Sequence, residues 1–334
     1  MTPNQTQQST LRDVAERSGV SIRTASRVLN NDTKVAAKTR SIVQLAMSEL
    51  GYTPDLAARS LRAGTDSTIG LLVESIADPF FSELAEAVES VMSAHGQSVF
   101  VSSTHREPST ERRILGTLLQ RRISGAIITP TEGDHDWLTT SNAPIVCIDR
   151  PSRGAATDVV RINDAEAASA AVAHLLAAGH HRIAYVGDLP TNTTSLDRQL
   201  AYEATLRRSG IVPDPELVHS TCQTSDDAAT ATRRLMALTH PPTAIFSSAT
   251  RSSLGVVPEL HRLGRTDVAL VGFGDFAMAD TLSPAITVVE HSAATIGTIA
   301  ADRLLARIAD PTLDPTTIYV PTRIVARGSG ELRP

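Results

Sequence analysis

The stretch Thr10 to Asn30, TLRDVAERSGVSIRTASRVLN, decides how the rest of the chain is read. At helical spacing it divides into two short helices separated by a tight turn. Thr10 stands where a side-chain oxygen can accept a hydrogen bond from an orphan amide at a helix start. Leu11, Val14, Ala15 and Ser18 follow at i, i+3, i+4 and i+7 and share one face. Gly19 falls where a chain leaving a helix often takes a positive φ, which costs other residues energy. Ser21 is a second N-cap candidate, and Ala25, Val28 and Leu29 give the second helix its inward face. An ordinary helical hairpin accounts for that apolar face. It does not account for the outward side, where Ile22, Arg23, Thr24, Ser26 and Arg27 bring donors and no acid. Two helices so arranged form a helix-turn-helix, whose second helix enters the major groove of DNA.

Charge is distributed in agreement with a phosphate-facing head. The chain of 334 residues has a net charge of -5, yet residues 1 to 62 hold nine basic and five acidic residues. The rest holds 22 basic and 31 acidic residues, an acidic body behind a basic head. The length calls for two or three domains, and 41% hydrophobic with 20% charged residues is ordinary globular composition. Aromatics are only 3%, so the cores must be built from Ala, Val, Leu and Ile. Cys147 and Cys222 lack metal-ligand spacing and read as reduced structural residues, in keeping with a cytoplasmic home. No signal peptide and no run long enough to span a membrane is visible.

Residues 1–9 are polar and expected to be disordered. Beyond Asn30 a third helix is expected over about Ala37 to Leu50, with Ile42, Leu45, Ala46 and Leu50 as its buried stripe. A helix-turn-helix domain over 10–54 is followed by DLAARSLRAG, a short helix candidate inside a 55–65 linker. Within it, Leu61 is an apolar residue among Arg59, Ser60 and Arg62. From Thr68 short apolar runs alternate with amphipathic helices, which means parallel sheets covered on both faces. Two such α/β units, with the last elements crossing back, make a two-lobed body over 66–334. The first lobe is expected at about 66–162 and 292–323, the second at about 163–290 with the C-terminal end. Ligands in such sheets bind outside the carboxyl ends of the strands.

The head, the hinge YTPDLAARSLRAG and the two-lobed body together resemble the lac repressor family of bacterial transcription regulators. DPFFSELAEAVE, VCIDR, GHHRIAYVGD, PPTAIF, VALVGF, LSPAITVV and PTRIVARGS continue the resemblance in order from 78 to 329. It implies a homodimer that binds a palindromic operator in double-stranded DNA, most simply as a repressor, with a small-molecule effector in the cleft between the lobes. By that resemblance Ile22, Arg23 and Arg27 read bases; Arg suits guanine, and Ile suits a thymine methyl. Ser21, Thr24, Ser26 and Asn30 match phosphate-holding positions, Lys34, Lys38 and Thr39 look like further backbone contacts, and Thr10 joins the DNA-facing set. Residue 36 is Ala where many relatives carry a hydroxyl. Leu61 matches a leucine inserted as a pair into the minor groove, with Ala58 beside it. Asp55 departs from the neutral residue usual there.

For the effector, the resemblance points to Phe80, Phe81, Asp149, Arg150, Arg198 and Asp275. Two departures stand out. Ala249 and Thr250 replace a usual Asn-Asp pair, and Gly274-Asp275 replaces a usual double acid. Loss of those acceptors argues against an ordinary neutral sugar and raises a phosphorylated or anionic ligand on Arg150 or Arg198 as an expectation. Other signals are weaker. Gly272 to Ala277 fits a dinucleotide fingerprint but lacks the helix that must follow. His180 and His181 read as a helix end near its negative pole, and Trp137 as a lid over a core. The four arginines Arg112, Arg113, Arg121 and Arg122 read as a solvated face. No catalytic constellation, metal site or cofactor motif is evident, so an enzyme is not expected. A solute-binding protein of the periplasmic type is the competing class, disfavoured by the DNA head.

Overall fold

The computed structural model describes residues 9–29, 32, 34–52 and 66–334. Asn30 and the whole linker with Asp55, Ala58 and Leu61 lie outside the described residues, as do residues 1–8. The chain separates into two compact units, residues 1–66 and 67–334.

Among the described residues the first unit has three helices, α1 (Leu11–Ser18), α2 (Ile22–Leu29) and α3 (Ala37–Glu49). Thr10 and Asp13 form a reciprocal capping box at the start of α1, and Gly19 ends it at φ 66°. The Val20 amide then donates back to the Ala15 carbonyl at 3.1 Å, closing the turn. Val14, Ala15, Ala25, Val28, Val43 and Ala46 form the core, with Leu11, Val20, Met47, Leu50 and Tyr52 around it. The expected stripe on α3 is therefore rotated by one position. Val43, Ala46, Met47 and Leu50 run at i, i+3, i+4 and i+7 and face inward, while Ile42 and Leu45 are 44% and 62% exposed.

The second unit carries two six-stranded sheets. The first takes β1 (Asp66–Val73), β2 (Ser98–Ser103), β3 (Ile123–Ile128), β4 (Ile145–Ile148), β5 (Asp158–Arg161) and β11 (Thr317–Tyr319). Their order is β11-β5-β4-β3-β1-β2. The second takes β6 (Ile183–Val186), β7 (Val218–His219), β8 (Ala244–Ser247), β9 (Ala269–Phe273), β10 (Thr287–Glu290) and β12 (Arg323–Val325). Here the order is β12-β10-β9-β8-β6-β7, with only the β10–β12 pair antiparallel. The chain passes between lobes after β5, after β10 and between β11 and β12. Helices α4 (Pro79–Ala94), α5 (Pro108–Gln120) and α10 (Ala293–Ala309) flank the first sheet. Helices α6 (Asp164–Ala177), α7 (Thr193–Arg208), α8 (Ser225–Met236) and α9 (Thr250–Arg262) flank the second. Central strands such as IVCI and IAYV are buried throughout, as parallel strands covered on both faces must be.

His180 does not act as a charged helix terminus. It is fully buried, its Nδ1 lies 2.9 Å from Thr243 Oγ1, and its Nε2 lies 3.0 Å from the Leu332 carbonyl. Burial holds its pKa below the usual imidazole range, so the neutral ring stitches the C-terminal segment to the second lobe. Trp137 packs over the cluster around Leu115, Ile128 and Cys147, with the Arg112 guanidinium 5.7 Å from its ring centroid. Among the described residues no helix is long and apolar enough to cross a membrane, and no group of three or more His, Cys, Asp or Glu side chains is placed to hold a metal.

Candidate nucleic-acid interface and effector cleft

On the head, α2 presents two unlike arginines. Arg23 is exposed beside Ile22, itself 46% exposed, and its guanidinium has no partner among the described residues. Arg27, one turn later, donates from Nε to Asp32 Oδ2 at 2.8 Å. The acid absent from the helix is thus supplied by the loop behind it. The Arg27 hydrogen bond, with the Lys34 amide adding to it, holds the Asp32 carboxyl below its usual range. Arg40 Nη2 donates to the Asp32 carbonyl at 2.7 Å and fastens the same loop to α3.

Ser21 and Thr24 face each other, with hydroxyls 2.9 Å apart and the Thr24 amide 3.2 Å from Ser21 Oγ. Ser26 is half-buried on the same helix. Lys34 lies in the turn before α3, and exposed Lys38 and half-buried Thr39 lie in its first turn. Thr10 is taken up with capping: its amide and its hydroxyl both donate to Asp13 Oδ2, and its Oγ1 accepts from the Asp13 amide. Of the head positions singled out from the sequence, Ser21, Ile22, Arg23, Thr24, Ser26 and Arg27 belong to α2 or its first cap, Thr10 to α1, and Lys34, Lys38 and Thr39 to the start of α3, while Asn30, Ala58 and Leu61 lie outside the described residues.

The cleft of the second unit is assembled from many distant segments. A cavity of about 90 Å³ lies at the carboxyl ends of β1, β4, β6, β8 and β9. Phe80, Phe81, Asp149, Arg150 and Arg198 all line it. Asp78 caps α4, accepting from the Phe80 amide at 3.1 Å, and so turns Phe80 toward the cavity. Phe81 is 5% exposed and mostly serves the core beneath. Asp149 takes φ 68°, a left-handed conformation that favours glycine and aims the Asp149–Arg150 pair inward. Asp275 is the exception. Its carboxylate faces Arg327, with Oδ1 2.8 Å from Nη1 in a two-pronged pair, and it does not line the cavity. The Arg327 guanidinium satisfies both oxygens and holds that carboxyl below its usual range.

Besides Asp149, the cavity presents the carboxylates of Glu74, Asp78 and Asp188, which were not expected from the sequence. Each follows closely on a strand end, in TIGLLVE, ADPFF and YVGD, where the rule for ligands in parallel sheets directs attention. Glu74 is paired with Arg150 and, at 2.8 Å, with Arg106. Burial works against its charge, but Arg150 and Arg106 together overcome that and hold its pKa down to about 2. Arg106 also reaches across the cleft to Asp188 at 2.5 Å, and Arg251 spans to Asp78 at 3.3 Å. Arg150 binds Asp149 at 2.8 Å, the Pro130 carbonyl at 2.6 Å and Asn192 at 3.2 Å. Asp149 itself is pushed upward by burial, opposed by Arg150.

Arg198 is anchored to buried Asp164 at 2.7 Å and to the Ser248 carbonyl at 2.8 Å, with its guanidinium 3.8 Å over the Phe273 ring. His291, also missed, sits between Phe80 and Phe273 with ring centroids 5.3 and 5.4 Å away. Its Nδ1 is shut off from solvent without a partner, and burial, aided by Arg198, depresses its pKa to about 4. It enters from the segment that crosses between lobes after β10, a position no local spacing marks.

A helical head with an open recognition face, carried on a two-lobed α/β body with a lined interlobe cleft, defines the class of ligand-responsive DNA-binding regulators. Residues 10–55 match the description "Bacterial regulatory proteins, lacI family", and residues 172–330 match a periplasmic binding protein-like domain. The chain is 33% identical to the ribose operon repressor of Halalkalibacterium halodurans over 96% of each chain. It is 31% identical to the transcriptional repressor PurR of Erwinia tasmaniensis, again over 96% of each. The chain belongs to the lacI family. A lac repressor dimer bound to operator and the anti-inducer ONPF is similar in structure, with TM-score 0.85, 26% identity and coverage of 97% of this chain and 99% of that one. So is a ribose operon repressor from Burkholderia thailandensis, with TM-score 0.70, 29% identity and coverage of 78% and 98%. These relatives are named as transcriptional repressors, not as enzymes, and the chain is a DNA-binding regulator that responds to a small molecule.

Proposed function

We propose that the protein is a cytoplasmic repressor that binds a palindromic operator as a homodimer and is switched by a neutral, polyhydroxylated effector in the interlobe cleft. On the DNA side, the observation that carries the reading is the exposed, unpartnered Arg23 beside Ile22 at the start of α2. Arg23 reads guanine through a bidentate contact, Ile22 packs on a thymine methyl, and Arg27 reads a further base once it exchanges Asp32 for DNA. Ser21, Thr24, Ser26, Asn30, Lys34, Lys38 and Thr39 hold phosphates and set the register. Leu61 and Ala58 of each copy enter the minor groove at the operator centre.

Dimerisation is supported by the edge strand β2 of the first sheet, where Phe100 and Val101 are exposed, and by exposed Ile76. The Ile76 amide donates to the Ser103 hydroxyl at the end of that strand at 3.0 Å.

A neutral effector is supported by the matched charges of the cavity. Arg106, Arg150, Arg198 and Arg251 each already face a carboxylate. Arg150 and Arg198, the expected anion holders, are thereby spoken for. Carboxylates and guanidiniums side by side suit hydroxyls, which donate to one and accept from the other. Two relatives are named ribose operon repressors, and a pentose is the first molecule to try. The test is titration calorimetry with ribose, with Asp188→Asn as the weakened variant. Ribose phosphate binding with no measurable binding of any neutral sugar contradicts the neutral reading.

A further inference from the structure

Lysine is nearly absent from this chain. Of its 31 lysines and arginines only Lys34 and Lys38 are lysines, four positions apart in the head. The 22 basic residues beyond position 62 are all arginines, so every ion pair of the cleft uses a guanidinium. Both lysines are exposed, and neither side chain has a partner among the described residues. The nearest acid is already spent. Asp32 accepts from Arg27 Nε through one carboxylate oxygen and from the Lys34 backbone amide through the other. Arg17 and Arg40 of the same unit are also taken, by Glu49 and by the Asp32 carbonyl.

Lys38 stands in the first turn of α3, where Ala36 supplies no side-chain cap and no acid is present. A cation at the positive end of a helix gains nothing from the helix dipole, so an anion from outside must account for it. Charge alone does not account for lysine in particular. Arginine binds phosphate at least as well, and this chain uses it at every other cationic position. Lysine adds a compact amine whose neutral form is a nucleophile, whereas a guanidinium keeps its protons and resists acylation. An activated acyl donor therefore meets side-chain amines on the head and none in the unit that holds the cleft.

We propose that Lys34 and Lys38 are acylation sites through which an acyl phosphate or acyl thioester weakens DNA binding without using the cleft. The ammonium gives one proton to water, and its nitrogen attacks the acyl carbon. The bond from that carbon to the phosphate oxygen, or to the thiol sulfur, breaks. The departing phosphate or thiol takes the second proton, and a neutral amide remains. Residues 1–62 hold nine basic and five acidic residues, so losing both charges halves the net charge of the head. With about 0.9 counterion released per phosphate contact, the salt slope of binding falls by about two. Affinity at physiological salt then drops about tenfold to a hundredfold. The proposal rests on both lysines meeting phosphates.

The test treats the full chain with acetyl phosphate and, in a parallel arm, with acetyl-CoA. Mass spectrometry maps the products, which are then titrated onto a random duplex across a range of salt. Acetyl groups are expected on Lys34 and Lys38 from at least one donor, and the reacting arm names the source. Binding weakens and the salt slope falls as stated. Lys34→Gln with Lys38→Gln reproduces the loss without a donor and unfolds at the same temperature as the parent chain. Lys34→Arg with Lys38→Arg has no side-chain amine, so treatment leaves its binding where it stood, whatever its own affinity. No acetyl group on either lysine in either arm overturns the proposal, as does acetylation of both with binding unchanged. An equal loss in the treated arginine variant overturns it by assigning the effect to another group, such as the α-amino terminus. An untreated chain that binds no duplex at any salt overturns the phosphate reading of the head as well.

Discussion

The head and the inner cleft handle arginine in opposite ways. On α2, Arg23 stands exposed with no partner among the described residues, and Arg27 has only Asp32 in the adjoining loop. In the cleft, every arginine on the inner lining faces a carboxylate; Glu74 serves three of them, Arg106, Arg150 and Arg251, and Asp188 serves two, Arg106 and Arg251. A surface that must meet a polyanion keeps its positive charge available in water, where a bare guanidinium costs little. A buried cavity cannot do so, because an unpaired charge away from water costs several kcal/mol. The two regions share a residue type, and its surroundings decide its use.

The largest effect is expected where that pairing is broken. Glu74→Ala leaves the buried Arg150 and half-buried Arg106 without their shared acid and should cost about 3–5 kcal/mol in urea denaturation. A loss below about 1 kcal/mol shows that water reaches Arg150 freely and removes the contrast with the head. The pH dependence has a matching sign. Because the Glu74 pKa is held down to about 2 from an ordinary 4.5, its stabilisation is fully present above 4.5 and is lost as pH falls toward 2.

His291 comes next. Its pKa is depressed from 6.5 to about 4, so between those values the unfolded chain takes up a proton that the folded chain refuses. Stability should therefore decline as pH drops from 6.5 to 4, by at most roughly 3 kcal/mol. Unfolding midpoints measured across that range should lose this slope in His291→Gln. An unchanged slope in the variant assigns the effect to other groups.

On the head the effects are smaller and appear in DNA affinity. Arg23→Ala should cost about 1–3 kcal/mol on the specific site and much less on random duplex. The smallest effect belongs to Asp32→Ala, which frees Arg27. Binding to random duplex should rise slightly, and its salt dependence should steepen by about one released ion. Weaker binding instead would mean that Asp32 orders the loop for DNA rather than restraining Arg27.

How much could be read in advance differed between the same two regions, for a physical reason. The α1–α2 unit is written in consecutive residues, with a cap at Thr10, a glycine turn at Gly19 and a face at fixed spacing, so both its helices and its outer surface were legible. The alternation of apolar strands and helices likewise announced two parallel sheets. The cleft was only partly legible because its residues converge from separate strand ends. Asp149, Arg150 and Arg198 were found by resemblance, but Glu74 meets Arg106 and Arg150 only when the ends of β1, β2 and β4 are brought together in one sheet. Asp78, Asp188 and His291 meet their partners only where the two lobes face each other. Asp275 misled because a pairing across 52 positions, to Arg327, is invisible to local spacing. The stripe on α3 failed by one position because Ile42 and Leu45 are as apolar as the Val43 and Met47 that face inward.

The most direct test is selection of binding sites from a pool of random duplexes, run with the full chain and with Arg23→Ala. The account predicts an inverted repeat whose half-sites share a guanine preference, with that preference lost in the variant and the symmetry kept. A selected sequence without inverted symmetry, or one identical for both proteins, contradicts it.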